Sequence, residues 1–356
     1  MPPSDQGRDS AWDLGARVAR HGAVSSRLAG LADADVLALL AEATSAGVGI
    51  GGTTGKIVVD GHDVFVKRVP LTDLERRPEH VGSTANLFGL PPFYQYGFGS
   101  AGFGAWRETA VHTMTTRWVL EGRFAGFPIL YHRRVLPQPP RPIEPAEVDR
   151  WVAHWEGSAA VRARLTAINE ASAAVVLFME YIPETVDSWL SGRTAAGDPG
   201  AASAYTMVDL ALRAGVDFME SQGLQHFDAH FRNLLTDGRR VYFADFGLAV
   251  HAGFELSAAE SAFLSRHRSY DRCYTATHLT QWLVSNLLGI PWEDCHDYLR
   301  DHVDGLGGAE LPESAARMIA RHAPVAAVLG IFFKDLRNVS KHVPYPAEEL
   351  GKALGR

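Results

Sequence analysis

Residues 226–247 carry the pattern that decides the fold class, and they read HFDAHFRNLLTDGRRVYFADFG. Within this stretch Asn233 follows Asp228 by five positions, and Asp245 follows it by seventeen. The dipeptide Asp237–Gly238 marks a turn, and the apolar run after it is typical of a short strand. The stretch therefore predicts a loop with two polar side chains, followed by a strand that ends on a third.

Polar side chains of these kinds suit the transfer of a phosphoryl group from ATP. One carboxylate has to orient the attacking hydroxyl or accept its proton. Separate oxygen ligands have to hold the magnesium ions, and one carboxylate with one amide oxygen suffices because Mg²⁺ keeps part of its water shell. The opposing interpretation is that the two strings occur by chance in surface loops. Their order, after a helical stretch and around a strand pair, disfavours that interpretation.

The order of these motifs resembles that of the protein-kinase-like superfamily, and the similarity extends from about Gly47 to Val284. The resemblance implies that Asp228 is the catalytic-loop aspartate, that Asn233 is the metal-binding asparagine, and that Asp245 is the metal aspartate of an Asp-Phe-Gly motif. It also implies ATP and Mg²⁺ as the cofactors.

A lysine and a glycine cluster upstream extend this resemblance. Lys67 ends a strand-like run and resembles the lysine that contacts the α- and β-phosphates; the alternative is a solvent-facing lysine on an edge strand. The glycine pattern can begin at Gly47 or at Gly52, and the second choice better suits a loop that leads into the lysine. We therefore expect Gly51, Gly52 and Gly55 to let backbone N–H groups approach phosphate, with a plain turn as the alternative.

The phosphate-binding lysine needs an acidic partner on a helix, and the helical stretch 105–122 offers two. Glu108 lies early in this stretch and is our candidate for bracing Lys67, whereas Glu121 lies at its far end. The non-functional alternative is that Glu108 is a solvated glutamate on a helix surface.

A hinge between two lobes is expected at the end of the apolar run 175–181, which is typical of a buried strand. By resemblance, the backbone groups of Glu180 and Ile182 would bind adenine, and Met179 would lie behind the nucleotide. The alternative is a core strand that simply leaves the interior.

Two departures from the protein-kinase pattern bear on the phosphate acceptor. Phe227 replaces the arginine that often precedes the catalytic aspartate, and no Ala-Pro-Glu triplet follows Gly247. His230 is similar to the histidine in the loops of aminoglycoside and choline phosphotransferases, whereas the Asp-Phe-Gly string is more typical of protein kinases. His230 and the missing triplet therefore favour a small-molecule acceptor, whereas the Asp-Phe-Gly string favours a polypeptide.

The order of the elements predicts an α+β protein with a bilobal protein-kinase-like fold. We expect an N-terminal tail and helix over residues 1–45, with the tail at 1–10 and the helix at 28–44. A β-rich N-lobe follows over 46–182, with a hairpin connected at Gly61–His62 and an irregular insertion at 72–104. A larger helical C-lobe is expected over 183–356.

Composition excludes several classes of protein. The 34 basic and 41 acidic side chains of the 356-residue chain give a formal net charge of −7, so there is no general basic field for nucleic acid. Two cysteines cannot form a disulfide framework, which suits a cytoplasmic setting. No uninterrupted apolar run approaches the ~18–20 residues that cross a bilayer, so we expect no membrane insertion.

The sequence therefore predicts an ATP- and Mg²⁺-dependent kinase that transfers the γ-phosphate to a hydroxyl. The favoured acceptor is a serine or threonine of a protein or peptide. A small-molecule alcohol, as for aminoglycoside and choline phosphotransferases, is the first alternative. An inert nucleotide-binding scaffold is the second, although a scaffold would need neither Lys67 nor the three polar residues of the central stretch.

Overall fold

The computed structural model describes residues 5–49, 52–97, 99–141, 143–195, 197–198, 200–301 and 311–355. The chain is a mixed α+β protein, as predicted, and it divides into two compact units. Unit 1 is Met1–Ile182 with Phe246–Leu248, and unit 2 is Pro183–Asp245 with Ala249–Arg356.

Unit 1 combines an antiparallel sheet with helices that precede its first strand or lie between its later strands in the sequence. Its strands are β1 (Thr44–Gly49), β2 (Gly52–Val59), β3 (His62–Leu71), β4 (Leu130–Pro137) and β5 (Ala173–Glu180). Its helices are α1 (Asp5–Ala29), α2 (Asp33–Ala41), α3 (Asp73–Arg76), α4 (Ala105–Leu120), α5 (Pro145–His154) and α6 (Ala159–Glu170). The strand order in the sheet is β1-β2-β3-β5-β4, and each neighbouring pair is antiparallel.

The register of this sheet explains its sequence pattern. β5 pairs with β3 on one side and β4 on the other, and all eight of its residues are buried, which accounts for its continuous apolar run. β2 and β3 form the predicted hairpin, but the connection is Asp60–Gly61 rather than Gly61–His62. Both residues have positive φ, 46° and 79°, as a two-residue turn with the right twist requires, and His62 already pairs with Val59.

The N-terminal region differs from the sequence prediction. The expected tail at 1–10 is helical from Asp5 onward, because α1 begins there and runs to Ala29. The helix predicted over 28–44 is interrupted by a turn at Gly30–Leu31, and α2 starts only at Asp33. The apolar spacing crosses this turn without a break, so hydrophobic periodicity alone joined two helices into one.

The predicted insertion at 72–104 contains short helical turns and an ordered hydrophobic cluster. Beside α3 it has 3₁₀ turns at Pro78–His80 and Pro92–Tyr96. Tyr94 and Phe103 are buried against Trp155, which follows α5. The aromatic side chains of the insertion thus pack into unit 1 together with α5 and α6, two helices that the sequence analysis did not predict.

Unit 2 is mainly helical. Its helices are α7 (Val186–Ala195), α8 (Ala201–Ser221), α9 (Ala258–Arg266), α10 (Tyr270–Leu288), α11 (Cys295–Asp301), α12 (Glu313–Asn338) and α13 (Ala347–Ala353). Its short strands are β6 (Glu184–Thr185), β7 (Leu224–Gln225), β8 (Leu234–Thr236), β9 (Val241–Phe243) and β10 (Val250–His251). β6, β8 and β9 form one antiparallel sheet, and β7 pairs with β10. α8 approaches β9 so closely that a Cβ at Gly215 would overlap the ring of Phe243.

One helix among the described residues, α12, is long and apolar enough to cross a bilayer by length and composition. Half of its most apolar window is buried inside the protein. A core helix passes the same test, so this property by itself does not establish a membrane span.

Candidate active site

Lys67 on β3 and Glu108 in the first turn of α4 form a buried ion pair. The Nζ atom of Lys67 lies 2.6 Å from Oε1 of Glu108, and the two residues are 6% and 3% exposed. A charge buried this deeply is costly unless an opposite charge accompanies it, so each residue stabilises the other's position. The alternative partner, Glu121, lies at the end of α4 and contacts Arg117 and Arg123 instead.

A histidine one turn further along α4 extends this buried group. His112 is buried, and its Nε2 atom lies 3.8 Å from Oε1 of Glu108. Its ring packs edge-on against Phe246 of the Asp-Phe-Gly motif, with centroids 5.0 Å apart. Among the described residues neither ring nitrogen of His112 has a hydrogen-bond partner. His112 was not predicted from the sequence, although its position four residues after Glu108 places both residues on one helix face.

The glycines predicted to bind phosphate lie largely within strands. Gly52 and Gly55 belong to β2, and Gly51 lies outside the described residues. A Cβ at Gly52, where φ is +138°, would overlap the carbonyl oxygen of Arg68 on β3. A Cβ at Gly55 would lie 3.2 Å from the carbonyl oxygen of Thr44 on β1. Close approach of neighbouring strands therefore gives an independent reason for glycine at both positions.

Two of the residues predicted to form the hinge, Met179 and Glu180, are the last residues of β5. Met179 is buried in the core of unit 1. The N–H of Glu180 donates to the carbonyl oxygen of Ile129 at 2.8 Å, so this donor is engaged within the protein and not directed to a nucleotide. Adenine binding by the Glu180 carbonyl group and by Ile182, which is partly buried just beyond β5, stays a prediction.

The side chain of Glu180 ties α1 to β5. Its Oε2 atom lies 2.6 Å from a guanidinium nitrogen of Arg17 and accepts the N–H of Ile129 at 3.2 Å. Arg17 also donates to the carbonyl oxygens of Ala125 and Phe127. This anchor was not predicted, because nothing in the sequence pattern of α1 distinguishes Arg17 from a solvated arginine.

In unit 2, Asp228 and Asn233 are in direct contact. The amide nitrogen of Asn233 donates to Oδ2 of Asp228 at 2.9 Å and to its carbonyl oxygen at 3.0 Å. This orientation leaves the amide oxygen as the side-chain group of Asn233 that can bind a cation. The N–H of Ala244 donates to the carbonyl oxygen of Asn233 at 3.1 Å, which puts Asp245 on the chain segment beside Asn233.

His226 joins the two segments that carry these residues. Its Nε2 atom lies 2.9 Å from the carbonyl oxygen of Ala244, and its Nδ1 atom accepts the N–H of Asp228 at 3.3 Å. One nitrogen therefore donates and the other accepts, which is the pattern of a neutral imidazole. Burial lowers the pKa of His226 to about 4 and keeps the ring neutral near pH 7.

Asp271 on α10 holds the loop that contains His226 and Asp228. Its carboxylate accepts the N–H of His226 at 2.6 Å and the N–H of Phe227 at 2.9 Å. Burial raises the pKa of Asp271 to about 6, although these two hydrogen bonds act in the opposite direction. Asp271 was not predicted from the sequence, where its signal was a single carboxylate within a buried helix face.

Two of the loop residues have backbone conformations that side chains other than glycine rarely adopt. The φ angles are 63° at Phe227 and 57° at Asp245. Such conformations cost about 1–3 kcal/mol each and persist where surrounding contacts impose them. Asp271 and the ring of Tyr270, 4.8 Å from that of Phe227, supply those contacts at Phe227.

His230 lies beside Asp228, and α10 places Tyr274 near Asp228 and His278 near His230. The Nε2 atom of His230 lies 3.8 Å from Oδ1 of Asp228, and burial lowers the pKa of His230. The ring of His278 lies 6.1 Å from that of His230, and burial lowers its pKa to about 3. Burial, together with the charge of Asp228, raises the pKa of Tyr274 well above its usual value. The side chains that border Asp228 and His230 thus include aromatic rings and histidines that are neutral near pH 7, together with the charged groups of Arg232 and Asp187.

A magnesium site from Asn233 and Asp245 fits the chemistry of the residues, because both offer hard oxygen atoms and their backbones adjoin. Among the described residues, no group of three or more His, Cys, Asp or Glu side chains could hold a metal ion. The residues thus suit a cation that is also bound by water and phosphate rather than one held by protein ligands alone.

No protein-family model matches the chain, and no curated protein matches it. The structure brings Lys67 together with Glu108, and Asp228 together with Asn233. The first pair belongs to unit 1 and the second to unit 2.

Proposed function

We propose that the protein is an ATP- and Mg²⁺-dependent phosphotransferase of the bilobal protein-kinase-like fold, which transfers the γ-phosphate to a hydroxyl. The observation that carries the proposal is the buried ion pair between Lys67 and Glu108. Stability alone is a weak reason for such a pair, because apolar residues of similar volume often serve as well. A lysine fixed by a glutamate is, however, what positioning of ATP phosphates requires.

The residues around Asp228 support the proposed binding of the acceptor hydroxyl and of Mg²⁺. In this proposal Asp228 orients the acceptor hydroxyl, and Asn233 and Asp245 hold Mg²⁺, which supplies neutralisation of the phosphate charge. The hydrogen bonds from Asn233 to Asp228 and from Ala244 to Asn233 restrict these side chains before substrate binds. Most of the acceleration then comes from positioning and electrostatics, with no covalent intermediate on the enzyme.

The favoured acceptor is a serine or threonine of a protein or peptide, for which the Asp-Phe-Gly motif is the support. A small-molecule alcohol is the second candidate, and one observation favours it. The ring of Tyr274 stacks on that of His278, and the ring of Trp292 lies 5.0 Å from His278; such a row of aromatic faces suits a sugar ring or a quaternary ammonium group.

To test the proposal, the full chain is incubated with γ-labelled ATP, and both the transfer of label and the formation of ADP are measured. One series contains a mixed serine and threonine peptide library, and the other contains amino sugars, neutral sugars and choline. We expect ADP to form only with Mg²⁺, and label to appear in one acceptor series. Asp245→Asn should abolish both signals. If the protein does not bind ATP in the presence of Mg²⁺, the proposal is wrong whatever the acceptor.

A further inference from the structure

A buried carboxylate from the segment before α4 binds the start of that helix. Glu75 on α3 is 2% exposed, and its Oε1 atom accepts the N–H of Ala105, the first residue of α4, at 2.7 Å. The indole N–H of Trp106 donates to the backbone carbonyl oxygen of Glu75 at 2.9 Å. One residue of the insertion at 72–104 therefore holds the first two residues of α4, which follow it by 30 and 31 positions.

Glu75 is itself fixed by two further residues. Its Oε2 atom accepts the backbone N–H of Thr72 at 3.1 Å, the Thr72 hydroxyl at 2.6 Å, and Nη1 of Arg164 on α6 at 2.8 Å. Arg164 is also 2% exposed. Burial by itself would raise the pKa of the Glu75 carboxyl, but the charge of Arg164 and the hydrogen bonds hold that pKa below its usual value. The carboxylate is therefore ionised near pH 7, and it joins α6 to the start of α4.

The cap of α4 thus comes from outside the helix. A residue at the N-cap position commonly satisfies a free N–H of the first turn with its own side chain, but the N-cap of α4 is Gly104, which has none. A Cβ at Gly104 would lie 2.9 Å from Oε1 of Glu75, so glycine leaves room for the carboxylate. A local cap would satisfy the helix without fixing its position. The cap from Glu75 also ties the start of α4 to α3 and α6.

Glu108 lies in the same turn of α4 as this contact. It follows Ala105 by three residues, and its N–H donates to the carbonyl oxygen of Gly104 at 3.4 Å. At 1.5 Å rise per residue, Ala105 and Glu108 are about 4.5 Å apart along the helix axis. A shift or rotation at the start of α4 therefore moves Glu108 as well. The buried ion pair of Glu108 with Lys67, at 2.6 Å, depends on close geometry and tolerates little such movement.

We propose that Glu75 is a positioning residue of the phosphotransfer site. It holds the start of α4 so that Glu108 meets Lys67, and Lys67 is thereby placed for the phosphates of ATP. Glu75 itself contacts neither phosphate nor magnesium in this scheme. The inference rests on the proposed function, and it gives the insertion at 72–104 a role in the reaction, because α3 supplies the support for the helix that carries Glu108.

The measurement is an equilibrium titration of the full chain with Mg²⁺-ATP, under conditions in which circular dichroism shows each variant to be folded. A loss of stability alone then leaves the dissociation constant unchanged. Glu75→Gln removes the charge and keeps the size of the side chain. Ala105→Pro removes the N–H that Glu75 accepts. Proline is well tolerated at the first position of a helix, so this variant tests the contact even if Glu75→Gln does not fold.

Each variant has a matched control. Glu260 forms the same kind of capping box with Ser257 at the start of α9 and is 6% exposed, so Glu260→Gln removes a comparably buried carboxylate from unit 2. Ala105→Gly keeps the N–H and loses one methyl group. Lys67→Met provides a background in which the ion pair with Glu108 is already absent.

We expect Glu75→Gln and Ala105→Pro each to raise the dissociation constant for Mg²⁺-ATP at least ~5-fold, because Lys67 is less well placed. Glu260→Gln and Ala105→Gly should stay within about twofold of the wild-type value. In the Lys67→Met background, Glu75→Gln should change the dissociation constant by less than about twofold, since Glu75 acts through Lys67.

Three results would overturn this inference and leave the proposed function standing, provided that the wild type binds Mg²⁺-ATP. The first is a wild-type dissociation constant in either folded variant, Glu75→Gln or Ala105→Pro. The second is an equal loss of affinity in Glu260→Gln. The third is a further loss when Glu75→Gln is added to Lys67→Met. A wild type that does not bind Mg²⁺-ATP would instead overturn the proposed function and this inference together.

Discussion

The carboxylate of Asp271 accepts the backbone N–H of His226 at 2.6 Å, although the two residues are 45 positions apart. The same carboxylate accepts the N–H of Phe227, so α10 fixes two consecutive residues directly before Asp228. The position of the proposed catalytic carboxylate is thus set by a helix that the motif itself does not include.

We expect Asp271→Ala to destabilise the protein by about 2–6 kcal/mol, because two buried N–H donors lose their acceptor and each unsatisfied donor costs about 1–3 kcal/mol. Turnover should fall as well, since the strained backbone at Phe227 loses the contact that holds it. Urea unfolding monitored by circular dichroism measures the first effect. Asp297→Asn, which removes a surface carboxylate of α11, is the control and should leave the free energy of unfolding close to the wild-type value. Equal costs for the two variants would contradict the anchoring role.

The ion pair of Lys67 and Glu108 gives a second expectation. Glu108→Gln keeps the shape of the side chain but leaves the buried ammonium without a counter-charge, which costs about 3–5 kcal/mol in buried pairs. The affinity for Mg²⁺-ATP should fall in the same variant, because the lysine is no longer held. Urea unfolding and nucleotide titration measure the two effects separately.

The control for this pair lies on the same sheet. Lys56 on β2 and Asp63 on β3 are 3.1 Å apart, and both are exposed. Asp63→Asn should change the free energy of unfolding by less than about 1 kcal/mol and leave nucleotide affinity unchanged. A wild-type nucleotide affinity in Glu108→Gln would remove the main support for the proposed function.

The pH dependence of stability follows from buried histidines. Burial lowers the pKa values of His226 and His267 to about 4, from about 6.5 in an unfolded chain. Between these values the unfolded state binds more protons than the folded state, so stability falls as the pH decreases from about 6.5 to about 4. Asp271 acts in the opposite sense, because its pKa is raised to about 6 and its contribution falls as the pH rises through about 4 to 6.

His267→Gln isolates one of these contributions. The ring of His267 is buried between Phe263 and Tyr345, at centroid distances of 3.8 and 4.2 Å. Near pH 5 the variant should lose about one proton from the pH dependence, equivalent to about 1.4 kcal/mol per pH unit in the free energy of unfolding. His342→Gln, at an exposed position, should keep the wild-type slope. An unchanged slope in His267→Gln would show that this histidine is charged in the folded state.

Much of the fold was predictable where a single periodic signal dominates. The hairpin of β2 and β3, the buried strand β5 and the helix α4 follow from alternation, an apolar run and helical spacing. The predicted hairpin turn lies one residue later than the observed turn. Gly61 is the obvious turn residue, whereas the positive φ of Asp60 cannot be read from a sequence pattern.

The remaining contacts depend on tertiary packing. Arg17 and Glu180 are 163 positions apart, and Asp271 contacts a loop on a distant segment. Nothing local distinguishes such charged residues from solvated ones, since their partners come from far along the chain. The glycines of β2 illustrate the opposite difficulty, because glycine suits both a phosphate loop and close strand packing.

The most direct test of the proposed function separates turnover from binding in Asp228→Asn. The substitution keeps the size of the side chain and a hydrogen-bond partner for Asn233, but it removes the carboxylate that we propose to orient the hydroxyl. We expect ADP formation in the presence of acceptor to fall at least ~10²-fold, while the dissociation constant for Mg²⁺-ATP stays within about threefold of the wild-type value. Turnover at the wild-type rate in Asp228→Asn would contradict the account.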